Sequence, residues 1–128
     1  MDLSNAMLIG ENLSGYNLSG FNLSGIKLSR AILTGSNLAG ANLQSAWLDE
    51  ADLRGANLSG ANLQMADLTD AHLENADLRG ANFANAFLTG AFLNFAQVNG
   101  ADFGGANGTG THTDGVNMQL AARPLAQS

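Results

Sequence analysis

Eleven acidic and five basic residues give this 128-residue chain a formal charge of −6. Four of the acidic ones, Asp49, Glu50, Asp67 and Asp70, fall within twenty-five residues of the only tryptophan, Trp47. An aromatic ring bordered by charge is a common mark of a protein-docking surface. Phe87, Phe92 and Phe95 form a second group, apolar and closely spaced. The histidines are His72 and His112, and Glu74 stands two residues from the first. Serines and threonines are frequent and mostly take the fourth position of a five-residue block. The chain shows no nucleophile–base pair and no phosphate-cradling loop, and it has no cysteine. Enzymatic activity, a cofactor and a metal are therefore not expected. The cations Lys27, Arg30, Arg54, Arg79 and Arg123 are too few and too scattered to grip phosphates. Direct nucleic-acid binding is not expected either.

What positions these groups is a repeat of five. From Met1 to Gly105 the chain divides into quintets without insertion or deletion, and each is centred on a large apolar residue. The centres run from Leu3 through Leu43, Leu48, Leu53, Leu58, Leu63, Leu68, Leu73 and Leu78 to Phe83, Leu88, Leu93, Val98 and Phe103. From Ala41 to Ala106 every quintet opens with Ala. On a straight α-helix a five-residue step moves a side chain about 140° around the axis, so no apolar stripe forms. On a straight strand an odd period throws successive centres to opposite faces. The chain must therefore bend once per quintet. In Ala51-Asp52-Leu53, the Ala and Leu share a face and Asp52 points away. Arg54 and Gly55 make the corner. The fifth residue is Gly in fourteen of twenty-four quintets and Asn in Asn5, Asn75 and Asn85. These residue types tolerate the positive φ of a type II turn. Asn or Asp at many second positions can bond the backbone of the turn.

The run Ala51-Asp52-Leu53-Arg54-Gly55, with Ala56-Asn57-Leu58-Ser59-Gly60 and Ala76-Asp77-Leu78-Arg79-Gly80, resembles the pentapeptide-repeat proteins. The likeness covers residues 1–107. It implies an all-β fold: a right-handed quadrilateral β-helix of about five coils, with four quintets per coil. Residues 108–128 are expected to form a loop and a short capping segment or helix, with one or two helical turns over 116–122. The interior is assigned to Leu43, Leu63, Phe83, Leu48, Leu68, Leu88, Leu53, Leu73, Leu93, Leu58, Leu78 and Val98.

Four quintets per coil would stack residues twenty apart. Lys27, Trp47, Asp67 and Phe87 then form one outward column, with Arg30, Glu50 and Asp70 beside it. Trp47, Asp49, Glu50, Asp67 and Asp70 become a candidate protein-docking patch, with an Arg30–Glu50 pair across its rungs. Phe87, Phe92 and Phe95 become either a partner site or a patch covered by the C-terminal tail. His72 and His112 would lie two coils apart, too far to share one metal without a third ligand. The expected role is a non-enzymatic interaction scaffold with an unidentified protein partner. The resemblance also implies an alternative, an acidic DNA-mimic rod that binds DNA gyrase. With no leader and no run of apolar residues long enough to span a bilayer, the expected setting is cytoplasmic and away from membranes. A monomer is expected rather than an end-to-end dimer.

Overall fold

The structure is a computed structural model that describes residues 1–126; Gln127 and Ser128, at the end of the expected capping segment, lie outside the described residues. Every fifth residue from Asn5 to Gly115 has a positive φ, between +58° and +73°. Fourteen of these are glycine and nine are not. Each such residue is the third of a type II turn. The amide after it closes the turn onto the preceding centre, as Ala56 N does onto Leu53 O at 3.0 Å.

Because each corner turns the chain the same way, the path returns on itself. Parallel bridges join residues twenty apart, from Asp2–Asn22 to Phe92–His112. They fall into four ladders, each made of second-position residues. The first runs through Asp2, Asn22, Asn42, Asn62, Asn82 and Asp102; the second through Met7, Lys27, Trp47, Asp67, Phe87 and Asn107. The third runs through Asn12, Ile32, Asp52, His72, Phe92 and His112; the fourth through Asn17, Asn37, Asn57, Asp77 and Gln97. Only one residue per quintet bridges before the next corner. The wall is thus built of isolated bridges rather than long strands, and the fold is an all-β solenoid.

A single quintet shows how the backbone is satisfied. In Ala56–Gly60, Asn57 N donates to Ser36 O on one side at 2.9 Å, and Leu58 N to Asp77 O on the other at 2.8 Å. Gly60 N donates to Arg79 O at 2.9 Å, and Ala56 N closes the turn. The fifth amide, of Ser59, goes to the Asn57 side-chain oxygen at 2.9 Å. All five amides are bonded, four by backbone and one by the Asx side chain. This is why Asn and Asp fill the second position. The same bond recurs at every Asn or Asp in that position, from Asp2 to Asn117.

Ala and Leu point to the axis. Leu43, Leu63 and Phe83 lie on neighbouring rungs and are fully buried, as are the other expected interior residues, Val98 being 2% exposed. Phe83 and Phe103 stack at 5.0 Å between centroids. At the start of the chain Ile26 is buried in the small position and Phe21 is packed against the core, but Tyr16 is exposed.

The path does not end at residue 107. Bridges continue to His112 and left-handed corners to Gly115. The boundary read from the loss of Leu at Gly108 and Thr113 is therefore too early. Corners and ladders are backbone features, and Gly110 and Gly115 sustain them without a central side chain. A 3-10 turn, Met118–Leu120, takes the place of the longer helix expected over 116–122. The ladder then slips by one residue, pairing Asp102 with Arg123, twenty-one apart. Arg123 forks onto Asp102 at 2.7 Å and lies over Gly104, where a Cβ would strike its guanidinium. The buried Leu125 fills the space that Gly108 leaves in the centre. The tail is thus a plug for the open end.

Two substitutions test this reading of the backbone. Ser36 Oγ is buried at a small position without a hydrogen-bond partner. Ser36→Ala should raise unfolding stability by about 1–3 kcal/mol, read from the urea midpoint; a loss would show that the hydroxyl is bonded. Met65 holds φ +59° with an exposed side chain. Met65→Gly should relieve that backbone and add about 1 kcal/mol by the same measurement, and an unchanged midpoint would argue against strain at the corner. Acid provides a third test. Arg54 and Arg79 hold the carboxyls of Asp52 and Asp77 below the ordinary carboxylate range, chiefly through side-chain hydrogen bonds. Depressed folded values stabilise the fold above the unfolded pKa, and this contribution is lost as pH falls through the folded values. Stability should be level from about pH 7 to 5 and decline below about 4; a midpoint that rises on acidification would contradict this.

Candidate protein-docking site

The second-position side chains face outward, and their types are not evenly shared among the ladders. The first and fourth ladders carry Asn or Asp on every rung except Gln97. Eight of the nine departures lie in the second and third ladders, which follow each other along the chain: Met7, Lys27, Trp47 and Phe87, then Ile32, His72, Phe92 and His112. The apolar side chains among them supply no oxygen to the amide two residues on, so each gives up a turn-stabilising bond. The unusual chemistry is gathered on two neighbouring ladders.

On the second ladder, Trp47 is 47% exposed. Lys27, one rung before, sets its ammonium 4.9 Å from the ring centroid and donates to Gly25 O at 2.8 Å. A groove of about 420 Å³ opens beside the ring. Its walls are Trp47, Asp67, Asp49 and Met65, with Ser29, Ser45 and Ala46 completing them. Asp49 accepts from Ser29 Oγ at 2.5 Å. Asp67 accepts from the amide and hydroxyl of Thr69 at 3.0 and 2.7 Å. Neither carboxylate belongs to an ion pair among the described residues. The pairs there are Arg54–Asp52, Arg79–Asp77, Arg123–Asp102 and His72–Glu74.

The structure thus brings Trp47, Asp49 and Asp67 together at one groove. It sets Glu50 and Asp70 on the corner column beside it, where both hold positive φ. The expected Arg30–Glu50 pair is not among the ion pairs of the described residues. The Asp70 carboxylate lies over Gly90 of the following coil.

The three phenylalanines take different places on the coil. Phe87 belongs to the second ladder and is half-exposed; Phe95 is a corner residue, 63% exposed, with its ring over Gly115. The described tail leaves both exposed, because Leu125 turns to the axis at Gly108 instead. Phe92 lies in the third ladder between the two histidines. His72, Phe92 and His112 stack with centroids 4.5 and 4.4 Å apart and planes within 5° of parallel. His72 Nδ1 lies 3.2 Å from Glu74 Oε2. Sequence reasoning set the histidines forty residues apart but counted Phe92 with its near neighbours. The signal was the spacing 72, 92, 112. Among the described residues no group of three or more His, Cys, Asp or Glu is arranged to hold a metal ion. Among the described residues no helix is long and apolar enough to cross a membrane.

Two comparisons place the chain among known proteins. The family profile described as Pentapeptide repeats matches residues 2–35, 36–75 and 66–105. Rfr23, a pentapeptide repeat protein from the cyanobacterium Cyanothece 51142, is 28% identical with a TM-score of 0.71, over 90% of this chain and 89% of that one. HetL from the cyanobacterium Nostoc sp. strain PCC 7120, a pentapeptide repeat protein involved in heterocyst differentiation regulation, is 26% identical with a TM-score of 0.63. That match covers 96% of this chain and 76% of HetL. A trypsin-treated form of QnrB1, a plasmid-mediated fluoroquinolone resistance protein, shares the fold at 20% identity and a TM-score of 0.52, over 91% of this chain and 77% of that one. No curated protein matches the chain. With eight matched copies spanning residues 2–105, a left-handed corner at every fifth residue and bridges twenty residues apart, the chain belongs to the pentapeptide-repeat family.

Proposed function

We propose that this protein is a non-enzymatic, monomeric scaffold of the cytoplasm that binds a partner protein through its second and third ladders. The observation that carries the reading is the distribution of departures from Asn and Asp. A purely structural rod would keep the turn-stabilising side chain on every rung. Here it is given up on two adjacent ladders, in favour of a half-exposed tryptophan, a half-exposed phenylalanine and a stack of three rings. Exposed aromatic groups gathered on one side of a molecule are typical of an interface. A right-handed quadrilateral path of about five coils belongs to the same reading. Four parallel ladders at a twenty-residue spacing support it.

The alternative of a DNA mimic that binds gyrase is weaker on charge. Duplex DNA carries one charge per ~1.7 Å of its axis. A rod about 25 Å long would need roughly fifteen charges to match it, and this chain has a net −6. Three of its acidic residues, Asp52, Asp77 and Asp102, are also forked by arginine.

The scaffold reading is tested by restoring the consensus. A rod with Trp47→Asn and Phe87→Asn should keep its circular-dichroism spectrum and hold or raise its melting temperature, because these side chains point outward and Asn restores the turn bond. It should lose the partners that the parent rod captures from its source cell. Asn57→Ala and Asn62→Ala on the fourth and first ladders should leave capture unchanged. Equal capture by both variants would remove the two ladders as the binding surface.

A further inference from the structure

Resting on the scaffold reading, we infer that the groove beside Trp47 is an arginine pocket, and that the segment it receives carries an apolar side chain three residues from the arginine. The groove has two kinds of wall. Trp47 and Met65, each 47% exposed, give it apolar surface. Asp49 and Asp67 give it negative charge, and neither forms an ion pair among the described residues. Three of the five basic residues are engaged elsewhere: Arg54, Arg79 and Arg123 each fork onto an aspartate of another ladder.

The chemistry of the occupant is already displayed within the molecule. Lys27 holds its ammonium against the Trp47 ring, anchored by the Gly25 carbonyl. Lys27 does not line the groove, whereas Trp47 does. The ring thus attracts a cation from its own chain and leaves further surface facing two carboxylates. A guanidinium suits that surface better than an ammonium. It is planar, so it stacks on indole; it is weakly hydrated; and its fork of donors matches a carboxylate. The volume of about 420 Å³ lies at the low end of the ~300–1,000 Å³ of ordinary ligand pockets, enough for a single long side chain.

The ladder indicates a peptide rather than a free cation. Phe87, half-exposed, stands two rungs beyond Trp47 with Asp67 between them. Two rungs span about 9.6 Å along the axis. A polyproline II segment rises about 3.1 Å per residue and returns to the same face every three, so positions i and i+3 lie about 9.3 Å apart. A segment Arg-X-X-Phe in that conformation would set its arginine at Trp47 and its ring at Phe87.

The test uses the full chain and its own fluorophore. Trp47 is the only tryptophan, so its emission reports this site alone. A short peptide containing Arg-Pro-Pro-Phe should quench or shift that emission saturably. Replacing its arginine by citrulline, or its phenylalanine by serine, should each weaken binding, the former at least tenfold or so. Asp49→Asn with Asp67→Asn in the rod should weaken it to a similar extent. Glu11→Gln with Asp114→Asn, which removes the same charge elsewhere, should leave it unchanged. No saturable response overturns the assignment, as does equal binding of the citrulline peptide. Equal loss in the two double variants would reduce the effect to net charge, and spermidine binding as tightly as the peptide would make the site a general polycation groove. Either result also overturns it. If the peptide fails while the Trp47→Asn, Phe87→Asn rod still loses its captured partners, the scaffold reading stands and only the arginine assignment falls.

Discussion

A left-handed residue at every fifth position is the constraint from which the rest of this molecule follows. It reverses the pleat once per quintet, so that Ala and Leu of each quintet face the axis although their period matches neither helix nor strand. It also closes the path so that residues twenty apart become neighbours. The core, the ladders and the outward columns are consequences of that one repeated backbone conformation. Glycine adopts it most readily, and nine other residues adopt it here at a cost in strain. The burial of Leu and the ladder hydrogen bonds must offset that cost.

The amides explain the second-position preference. Backbone partners satisfy four of five in a quintet such as Ala56–Gly60, and the fifth depends on an Asn or Asp side chain. The consensus is thus a set of local bonds, and any rung that departs from it trades a turn bond for something else. On the third ladder the exchange yields a ring stack. On the second it yields a cation on an indole, and a groove whose carboxylates form no ion pair among the described residues.

Much of this was legible in the residues alone. The quintet period fixed the interior: Leu43, Leu63 and Phe83 are stacked and buried as their spacing requires. The positive φ of Asn5, Asn75 and Asn85 follows from their place in the period. The grouping of Trp47 with Asp49 and Asp67 was also readable, since one is a rung away and the other two residues on. What escaped was whatever crosses coils through side chains. Phe92 was read with its sequence neighbours, whereas its ring partners lie twenty residues away on either side. A capping tail was expected, but how it caps escaped, because that depends on a one-residue slip between Asp102 and Arg123, and on a space at Gly108 that no local pattern announces. The loss of central leucines suggested an early end, but the corners depend on backbone and outlast the core.

The twenty-residue register has an evolutionary corollary. Duplication or deletion of twenty residues would lengthen or shorten the rod and leave every downstream column on its own side. Gain or loss of a single quintet would preserve each corner and each buried leucine, so folding would scarcely register it. Yet it would shift everything downstream by one ladder and carry Phe87 away from the side that bears Trp47. A lineage could therefore reshuffle its surface at almost no cost to its interior, and related rods of equal stability need not present the same face to the same partner.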